Sequence, residues 1–194
     1  AKGSAHWVPE VDTVFEIGGQ DSKYISIQNG EVVDFQMNKI CAAGTGSFVE
    51  EQAARMGIPL AEFGPLALSS EHPASLGERC TVFIETAIAS ASAEGISRAD
   101  IVAGLCHSIV QNYLHKVVGS KPVGQHIVLH GGVDYIPGIV AAFQSAYGDR
   151  IQVSPVFSIS GAYGAALLAH EAVGDAPSRF VGFDSPAKDA EDSR

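Results

Sequence analysis

The sequence predicts an α/β domain built on a mixed β-sheet that opens with an antiparallel meander. Two observations support this fold class. Three short apolar segments near the start of the chain are separated by turn residues, which is the pattern of neighbouring antiparallel strands. Farther along, an apolar run ends at a glycine pair and is followed by a helical pattern, as in the strand-to-helix units of α/β proteins.

The meander is predicted from three apolar runs and one hairpin turn. The runs lie at residues 14–17, 24–27 and 32–37. Asn29-Gly30 separates the second run from the third, and this dipeptide favours a two-residue hairpin because both residues tolerate positive φ. The first run stops at a glycine pair, so the turn after it is of a different kind. The three strands are therefore expected to be antiparallel neighbours.

The rest of the chain is predicted to hold five helices and two further strands. Apolar residues at helical spacing place the helices at residues 45–56, 81–94, 97–118, 137–147 and 161–172. The two strands are placed at residues 127–130 and 151–153. Ser97 is the predicted N-cap of the third helix, with Asp100 three residues later. Residues 58–79 contain three prolines and are predicted to break regular structure.

The domain organisation is predicted to be simple. Residues 1–11 form a lead-in, residues 12–173 one globular lobe, and residues 174–194 a flexible tail or a linker to a following module. A chain of 194 residues suits one domain or one lobe of a larger fold. The sequence starts with Ala1 and has no signal-peptide apolar region, so we expect a piece of a longer protein.

Composition argues against several classes of protein. The net charge is −10, from 12 basic and 22 acidic residues, and no Lys/Arg cluster occurs. Such a chain lacks the basic surface that nucleic acids or anionic membranes require. No apolar run approaches the ~20 residues that a membrane-spanning helix needs. The three cysteines are widely spaced and odd in number, which is typical of a reducing cytoplasm and not of a disulfide framework.

The first glycine pair is a candidate phosphate-binding turn. Gly18 and Gly19 connect two predicted strands, and glycine there lets backbone N–H groups approach phosphate oxygens. Glu16, Gln20 and Asp21 flank the pair, and the carboxylates are candidates for holding Mg²⁺ or positioning an attacking water. The turn is neither a P-loop nor a dinucleotide fingerprint. An ordinary tight turn remains an equal alternative.

The second glycine pair follows a strand and precedes a helix. Gly131 and Gly132 put bare backbone beside a helix N-terminus, where a nucleotide can bind, although an ordinary strand-to-helix connection has the same pattern. Because each pair closes a strand, the two together predict two walls of one nucleotide cleft. His130 adjoins the second pair, where it could contact the nucleotide, but a solvated histidine at the end of the strand is the favoured expectation.

Two cysteines lie where predicted helices begin. Cys41 precedes the helix at 45–56, and Cys80 precedes the helix at 81–94. Helix N-termini favour thiolates, and thiolates bind iron. Two cysteines do not complete a [4Fe–4S] site, which a twofold dimer would do, and small buried packing residues remain the alternative. Cys106 lies inside the third predicted helix and is expected to be a packing residue.

Five motifs resemble one family in the family's own order. Residues 15–23 resemble the second phosphate motif of activator ATPases of the 2-hydroxyacyl-CoA dehydratase and benzoyl-CoA reductase type, the BadF/BadG/BcrA/BcrD family. Residues 38–48 and 79–85 resemble the two cluster-cysteine motifs of that family. Residues 130–133 stand where its adenosine motif lies, and residues 160–166 resemble its closing helix. The cysteine motifs are specific to the family, whereas the glycine motifs are typical of the whole actin-like superfamily.

The resemblance implies a fold and an activity. It implies the C-terminal lobe of an actin-like, ribonuclease H-like ATPase. Family members are homodimers that share one [4Fe–4S] cluster, receive an electron from a ferredoxin or flavodoxin, and use ATP with Mg²⁺ to drive it into an acyl-CoA dehydratase or reductase component. By position, Cys41 and Cys80 would bind the cluster, Glu16, Gln20 and Asp21 would serve Mg²⁺ and water, and the glycine pairs would contact ATP or ADP.

The chain also departs from the family. No segment of the first phosphate-motif type is present, so the resemblance implies that these residues alone do not hydrolyse ATP. Glu16 stands where Asp is more usual, and Asp134, Tyr135 and Pro137 stand where small or amide residues are more usual. Residues 179–184 resemble the exit into the next module of the long, multidomain activators. Two alternatives remain open, namely a sugar or N-acetylhexosamine kinase-like lobe and a non-catalytic iron–sulfur dimerisation domain.

Overall fold

The structure is a computed structural model that describes residues 1–38, 44–77, 81–174, 176–177 and 182. Its strands are β1 (Thr13–Ile17), β2 (Ser22–Gln28), β3 (Glu31–Met37), β4 (Ile127–His130) and β5 (Ile151–Val153). Its α-helices are α1 (Lys2–Trp7), α2 (Gly46–Arg55), α3 (Leu60–Leu68), α4 (Thr81–Ala93), α5 (Arg98–Tyr113), α6 (Pro137–Tyr147) and α7 (Ser160–Val173). Short 3₁₀ turns cover Gly132–Tyr135 and Gly148–Arg150, and a π-helical turn covers Leu114–Val118.

The five strands form one mixed sheet in the order β3-β2-β1-β4-β5. The pairs β1–β2 and β2–β3 are antiparallel, whereas β1–β4 and β4–β5 are parallel. Asn29 and Gly30 take φ values of 53° and 82° in the hairpin between β2 and β3. The predicted meander and mixed sheet are therefore confirmed. Since β1 and β4 are parallel neighbours, their carboxyl ends meet at one edge of the sheet, and each ends at a glycine pair.

The main core lies between one face of the sheet and helices α2 to α6. Phe15 of β1 is fully buried there, and its ring centroid lies 5.3 Å from that of Tyr113 and 5.9 Å from that of Phe143. The Tyr113 hydroxyl donates a hydrogen bond of 2.8 Å to the Lys23 backbone carbonyl, so α5 is fixed to β2 as well. This aromatic cluster holds α5 and α6 under the strands that end in the glycine pairs.

The opposite face of the sheet is covered by segments from the two ends of the described chain. Helices α1 and α7 contact each other there, and a smaller apolar cluster fills the space above the sheet. Its buried members are Val8, Val11, Val14, Ile27 and Val128. The predicted lead-in thus contributes a helix and two core residues. In the described part of the chain, none of the helices has the length and apolar character needed to cross a membrane.

Besides α1, which lies in the predicted lead-in, two helices differ from the sequence prediction. Ser97 caps α5 as expected, since its hydroxyl accepts from the Asp100 N–H, but regular α-helix ends at Tyr113 and the last turn is π-helical. Helix α3 was not predicted, because three prolines suggested a break. Gly64 of α3 packs so tightly on α6 that a Cβ there would lie 2.4 Å from Pro137 Cδ. Tertiary packing therefore stabilises a helix that local preference disfavours.

Candidate functional site

The first glycine turn is fixed to the start of α2 by its carbonyl groups. Gly46 N–H donates to the Gly18 carbonyl at 2.9 Å. Ser47 donates twice to the Gly19 carbonyl, from its N–H at 2.7 Å and from its hydroxyl at 2.5 Å. Glycine at position 46 suits this close approach, because a Cβ would lie 3.2 Å from Gly19 Cα, which is tighter than most Cβ contacts. The first two N–H groups of α2 are therefore satisfied by the turn.

A third carbonyl of the turn is held from the other side. The Asn38 side chain donates to the Gln20 carbonyl at 3.3 Å and accepts from Ser22 N–H at 2.9 Å. Asn38 N–H donates to the Ser22 carbonyl at 3.0 Å. Gly18 N–H closes the turn on the Asp21 carbonyl at 2.8 Å. The first glycine turn is thus hydrogen-bonded to Asn38, before the segment 39–43, and to Gly46 and Ser47 after it.

Peptide geometry determines what the turn presents to a ligand. A trans peptide unit points its N–H away from its carbonyl. Because the carbonyls of Gly18, Gly19 and Gln20 are held by neighbours, the N–H groups of Gly19, Gln20 and Asp21 point away from those neighbours. No described residue accepts a hydrogen bond from these three groups. Successive free N–H groups form an anion-binding concavity.

The second glycine pair brings β4 against β1. Gly131 has φ of +132°, and a Cβ on it would lie 2.1 Å from the Ile17 carbonyl oxygen. Its N–H donates to the Phe157 carbonyl at 3.2 Å. Gly132 has open space around it and begins the 3₁₀ turn. Gly131 is therefore a packing position, whereas Gly132 is accessible.

One cavity of about 540 Å³ lies between the two glycine turns. It is lined by Gly19, Gly46, Glu50, Leu60, Ala61, Gly132, Tyr135 and Ile136. Gly19 and Gly46 form a polar end, since both present bare backbone and the turn is hydrogen-bonded to the start of α2. The residues of α3 and the 3₁₀ turn form an apolar end. The structure therefore brings one glycine of each predicted pair into one cavity of the size of a nucleotide site.

The predicted carboxylates, Glu16 and Asp21, do not line this cavity. Glu16 forms an ion pair of 2.6 Å with Lys23, and the two residues are cross-strand partners on β1 and β2. Glu16 is only 23% exposed in its side chain, and Lys23 is 34% exposed. Gln20 and Asp21 are exposed on the turn. Lys23 was not among the predicted site residues, because only the register of β1 and β2 shows that it pairs with Glu16.

His130 does not lie in solvent, so the expectation of a solvated strand-end histidine was wrong. It is 8% exposed, and burial lowers its pKa to about 4. Its register partner on β1 is Glu16, so the two side chains share one face of the sheet. No described group hydrogen-bonds to its Nε2 atom. A neutral imidazole therefore lies beside the candidate carboxylate.

Asp134 is a second buried titratable group near the glycine pair. It is 8% exposed, and burial alone raises its pKa to about 7. Neither of its carboxylate oxygens has a hydrogen-bond partner among the described residues. The sequence marked Asp134 only as a departure from the family pattern. Its burial could not be foreseen from a single residue after the glycine pair.

The two candidate metal ligands lie outside the described residues. Cys41 falls in the gap 39–43, and Cys80 falls in the gap 78–80. Within the described ranges no group of three or more His, Cys, Asp or Glu side chains is arranged to hold a metal. Cys106 is buried at 1% exposure, which raises its pKa to about 12. The prediction that Cys106 is a packing residue is confirmed.

The helices that follow the two cysteines in sequence are linked to each other. Arg55, in the last turn of α2, forms an ion pair of 2.8 Å with Glu85 of α4 and another of 2.8 Å with Glu51 of its own helix. Both partners are partly exposed, so the link is modest in strength. Contacts among described residues thus run from the first glycine turn through α2 to α4.

Comparison with known proteins gives one consistent result. The model of the BadF/BadG/BcrA/BcrD ATPase family matches residues 1–169. The chain is 36% identical over 174 residues to the (R)-2-hydroxyglutaryl-CoA dehydratase activating ATPase of Acidaminococcus fermentans, covering 88% of this chain and 65% of that relative.

Two solved structures of the same kind superpose on the fold. Component A of the (R)-2-hydroxyglutaryl-CoA dehydratase of A. fermentans matches with a TM-score of 0.82 at 33% identity, over 88% of this chain and 66% of the other. The activator of the 2-hydroxyisocaproyl-CoA dehydratase from Clostridium difficile, with bound ADPNP, matches with a TM-score of 0.80 at 34% identity, over 88% and 64%. The predicted actin-like α/β fold is confirmed. The chain spans about two thirds of the length of these relatives.

Proposed function

The chain belongs to the BadF/BadG/BcrA/BcrD ATPase family, and from that premise we propose that it carries the nucleotide and cluster sites of an ATP-dependent activator. The activator would deliver a low-potential electron to an acyl-CoA dehydratase or a benzoyl-CoA reductase-like partner. A ferredoxin or flavodoxin would supply the electron. The names of the relatives support this kind of partner, since they include dehydratase activators and a benzoyl-CoA reductase subunit.

The observation that carries the nucleotide proposal is the cavity shared by Gly19 and Gly132. Phosphate oxygens would accept from the free N–H groups of the first turn, because that end is polar and presents bare backbone. The adenosine would lie toward Leu60 and Tyr135, because that end is apolar.

The acidic residues would serve Mg²⁺ and water. Asp21 is exposed on the turn, and Glu16 lies at the end of the strand that leads into it. Carboxylate oxygens are ligands that Mg²⁺ prefers. Gln20, which precedes Asp21, would orient the attacking water through its side-chain amide. Turnover would further require a first phosphate motif, which these 194 residues lack, so we propose that they bind nucleotide without hydrolysing it alone.

The cysteines would bind a [4Fe–4S] cluster shared by two copies of the chain. Each copy offers Cys41 and Cys80, and two thiols per chain fit half of a tetrathiolate site. Cys80 immediately precedes α4, and Cys41 lies five residues before α2. Such a cluster carries one electron at low potential. A homodimer is therefore part of the proposal, because one chain alone cannot complete the ligand set.

Anaerobic purification tests the cluster, and calorimetry tests the nucleotide. We expect about four irons per two chains, lost in Cys41→Ser and in Cys80→Ser but retained in Cys106→Ser, which is the matched control. Mg-ADP should bind the parent, meaning the protein without substitutions. Gly132→Val, which fills the cavity between the glycine turns, should abolish binding. An iron-free protein that binds nucleotide would favour a kinase-like lobe instead. Iron without nucleotide binding would favour a dimerisation domain.

A further inference from the structure

We propose that Ser47 is a positioning residue that orients the phosphate-binding peptide units and couples nucleotide binding to α2. The inference rests on the function proposed above, since it names how the first glycine turn would respond to its ligand. Ser47 would not touch the phosphate. It holds the opposite edge of a peptide unit whose N–H would do so.

The position of Ser47 is unusual for a residue in the first turn of a helix. The residue whose side chain usually accepts a hydrogen bond from a helix start is the N-cap, which in α2 is Thr45, whereas Ser47 is the second residue of the helix. The Ser47 hydroxyl instead donates to the Gly19 carbonyl at 2.5 Å, in parallel with its own N–H at 2.7 Å. Two donors on one carbonyl fix the orientation of the Gly19–Gln20 peptide unit. These two bonds are needed because the backbone of glycine at position 19 has few steric restrictions and the peptide unit could otherwise rotate.

The same peptide unit has two functional edges. Its carbonyl edge is bonded to the start of α2, and its N–H edge, on Gln20, donates to no described residue and would be available to an anion. A phosphate that accepts from this N–H polarises the unit and strengthens the bonds on its carbonyl edge, because hydrogen bonds in series reinforce one another. The Gly18–Gly19 unit repeats the pattern, with Gly46 N–H on its carbonyl. A bound phosphate would therefore tighten α2 against the turn.

The contacts that would carry the coupling run from the first glycine turn along α2 to α4. Helix α2 begins at this contact and ends at Arg55, which pairs with Glu85 of α4. Asn38 holds the next carbonyl of the turn, that of Gln20. A nucleotide at the turn would thus order α2 from its first residue, and α2 is the element that follows Cys41 in the sequence.

Hydrogen exchange with mass spectrometry tests the proposal on the protein at its natural full length. We expect Mg-ADP to slow amide exchange in residues 46–55 of the parent by at least about threefold. Ser47→Ala should lose most of that slowing and bind ADP about fivefold more weakly, the usual effect of losing one hydrogen bond. Ser47→Thr keeps the hydroxyl and should restore both. Because coupling is reciprocal, the two losses should be of similar size.

The matched control is Ser145→Ala. Ser145 also donates its hydroxyl to a carbonyl, that of Ala141 at 2.9 Å, but on the exposed side of α6. It should leave affinity and exchange unchanged. If Ser47→Ala is too unstable, Asn38→Ala removes the side chain that holds the Gln20 carbonyl without adding a charge, and it should weaken both ADP binding and the slowing of exchange in residues 46–55.

The outcomes separate the two levels of the proposal. ADP binding by the parent together with unchanged exchange in residues 46–55 overturns the coupling but leaves the nucleotide site standing. Weaker binding by Ser47→Ala with parent-like slowing of exchange also overturns it. A parent that binds no nucleotide ends the proposed function, and this inference with it.

Discussion

Gly131 lies so close to the end of β1 that a Cβ on it would be 2.1 Å from the carbonyl oxygen of Ile17. The two parallel strands therefore close on each other just where each one enters its glycine turn. The two adjacent glycines therefore have different roles, since a Cβ built on Gly132 would have no described atom within 4 Å.

Gly131→Ala should destabilise the fold strongly. The new methyl group collides with backbone that cannot move without separating β1 from β4, and φ of +132° is itself unfavourable for alanine. We expect a loss of about 3 kcal/mol or more in the free energy of unfolding, measured by urea denaturation. Gly132→Ala is the control and should change stability by less than about 1 kcal/mol. Equal effects in the two variants would show that the strand ends can separate.

Asp134→Asn should make the protein more stable at high pH. Burial raises the Asp134 pKa from 3.8 to about 7, so its contribution to stability is complete below pH 3.8 and is lost as the pH rises through about 7. The amide has no such loss. We expect little difference at pH 4 and an advantage of roughly 2–4 kcal/mol for the variant at pH 8, by urea denaturation at each pH.

The control for this prediction is an exposed carboxylate. Asp149→Asn changes an exposed residue of the short 3₁₀ turn Gly148–Arg150, and it should shift the pH dependence of stability little. A variant at Asp134 that is less stable than the parent at pH 8 would contradict the prediction. It would indicate that the ionised carboxylate has a cation or another partner in solution.

The features that local sequence determines were predictable. The hairpin at Asn29-Gly30 and the cap at Ser97 depend on residues only a few positions apart, and both are present. The glycine pairs were recognisable because each one directly follows an apolar run. That Gly19 and Gly132 line one cavity followed from parallel pairing of the strands, which the sequence suggested but did not require.

The features that depend on tertiary contacts were not predictable. The pairing of Lys23 with Glu16 requires the strand register, and the burial of His130 depends on what packs against the sheet. Helix α3 exists because Gly64 fits against Pro137, which lies far away in sequence. In the sequence Ser47 is an ordinary serine in the first turn of a helix, and only the folded structure brings it to the Gly19 carbonyl. For helix α3 and for Ser47 the deciding partner is distant along the chain.

Tyr135→Ala should weaken nucleotide binding. Tyr135 lines the cavity, is 68% exposed and packs edge-on against Phe157 with ring centroids 4.7 Å apart, which supports its ring beside the apolar end. Stacking of a base on an aromatic ring is worth about 1–3 kcal/mol. We expect a roughly tenfold higher Kd for ADP by calorimetry, with Tyr135→Phe close to the parent. An unchanged Kd in Tyr135→Ala would place the base elsewhere in the cavity.

Lys23→Met should lower the Mg²⁺ concentration that nucleotide binding requires. Lys23 neutralises Glu16 at 2.6 Å, so its ammonium group competes with a cation for the same carboxylate. At this distance and partial exposure, removing one positive charge should strengthen Mg²⁺ binding by roughly three- to tenfold. The measurement is ADP binding at increasing Mg²⁺. Lys121→Met is the matched control, because Lys121 forms a similar ion pair of 2.5 Å with Asp34 on β3. A higher Mg²⁺ requirement in Lys23→Met would contradict the prediction, and it would mean that Lys23 binds a phosphate oxygen and releases Glu16 when the nucleotide arrives.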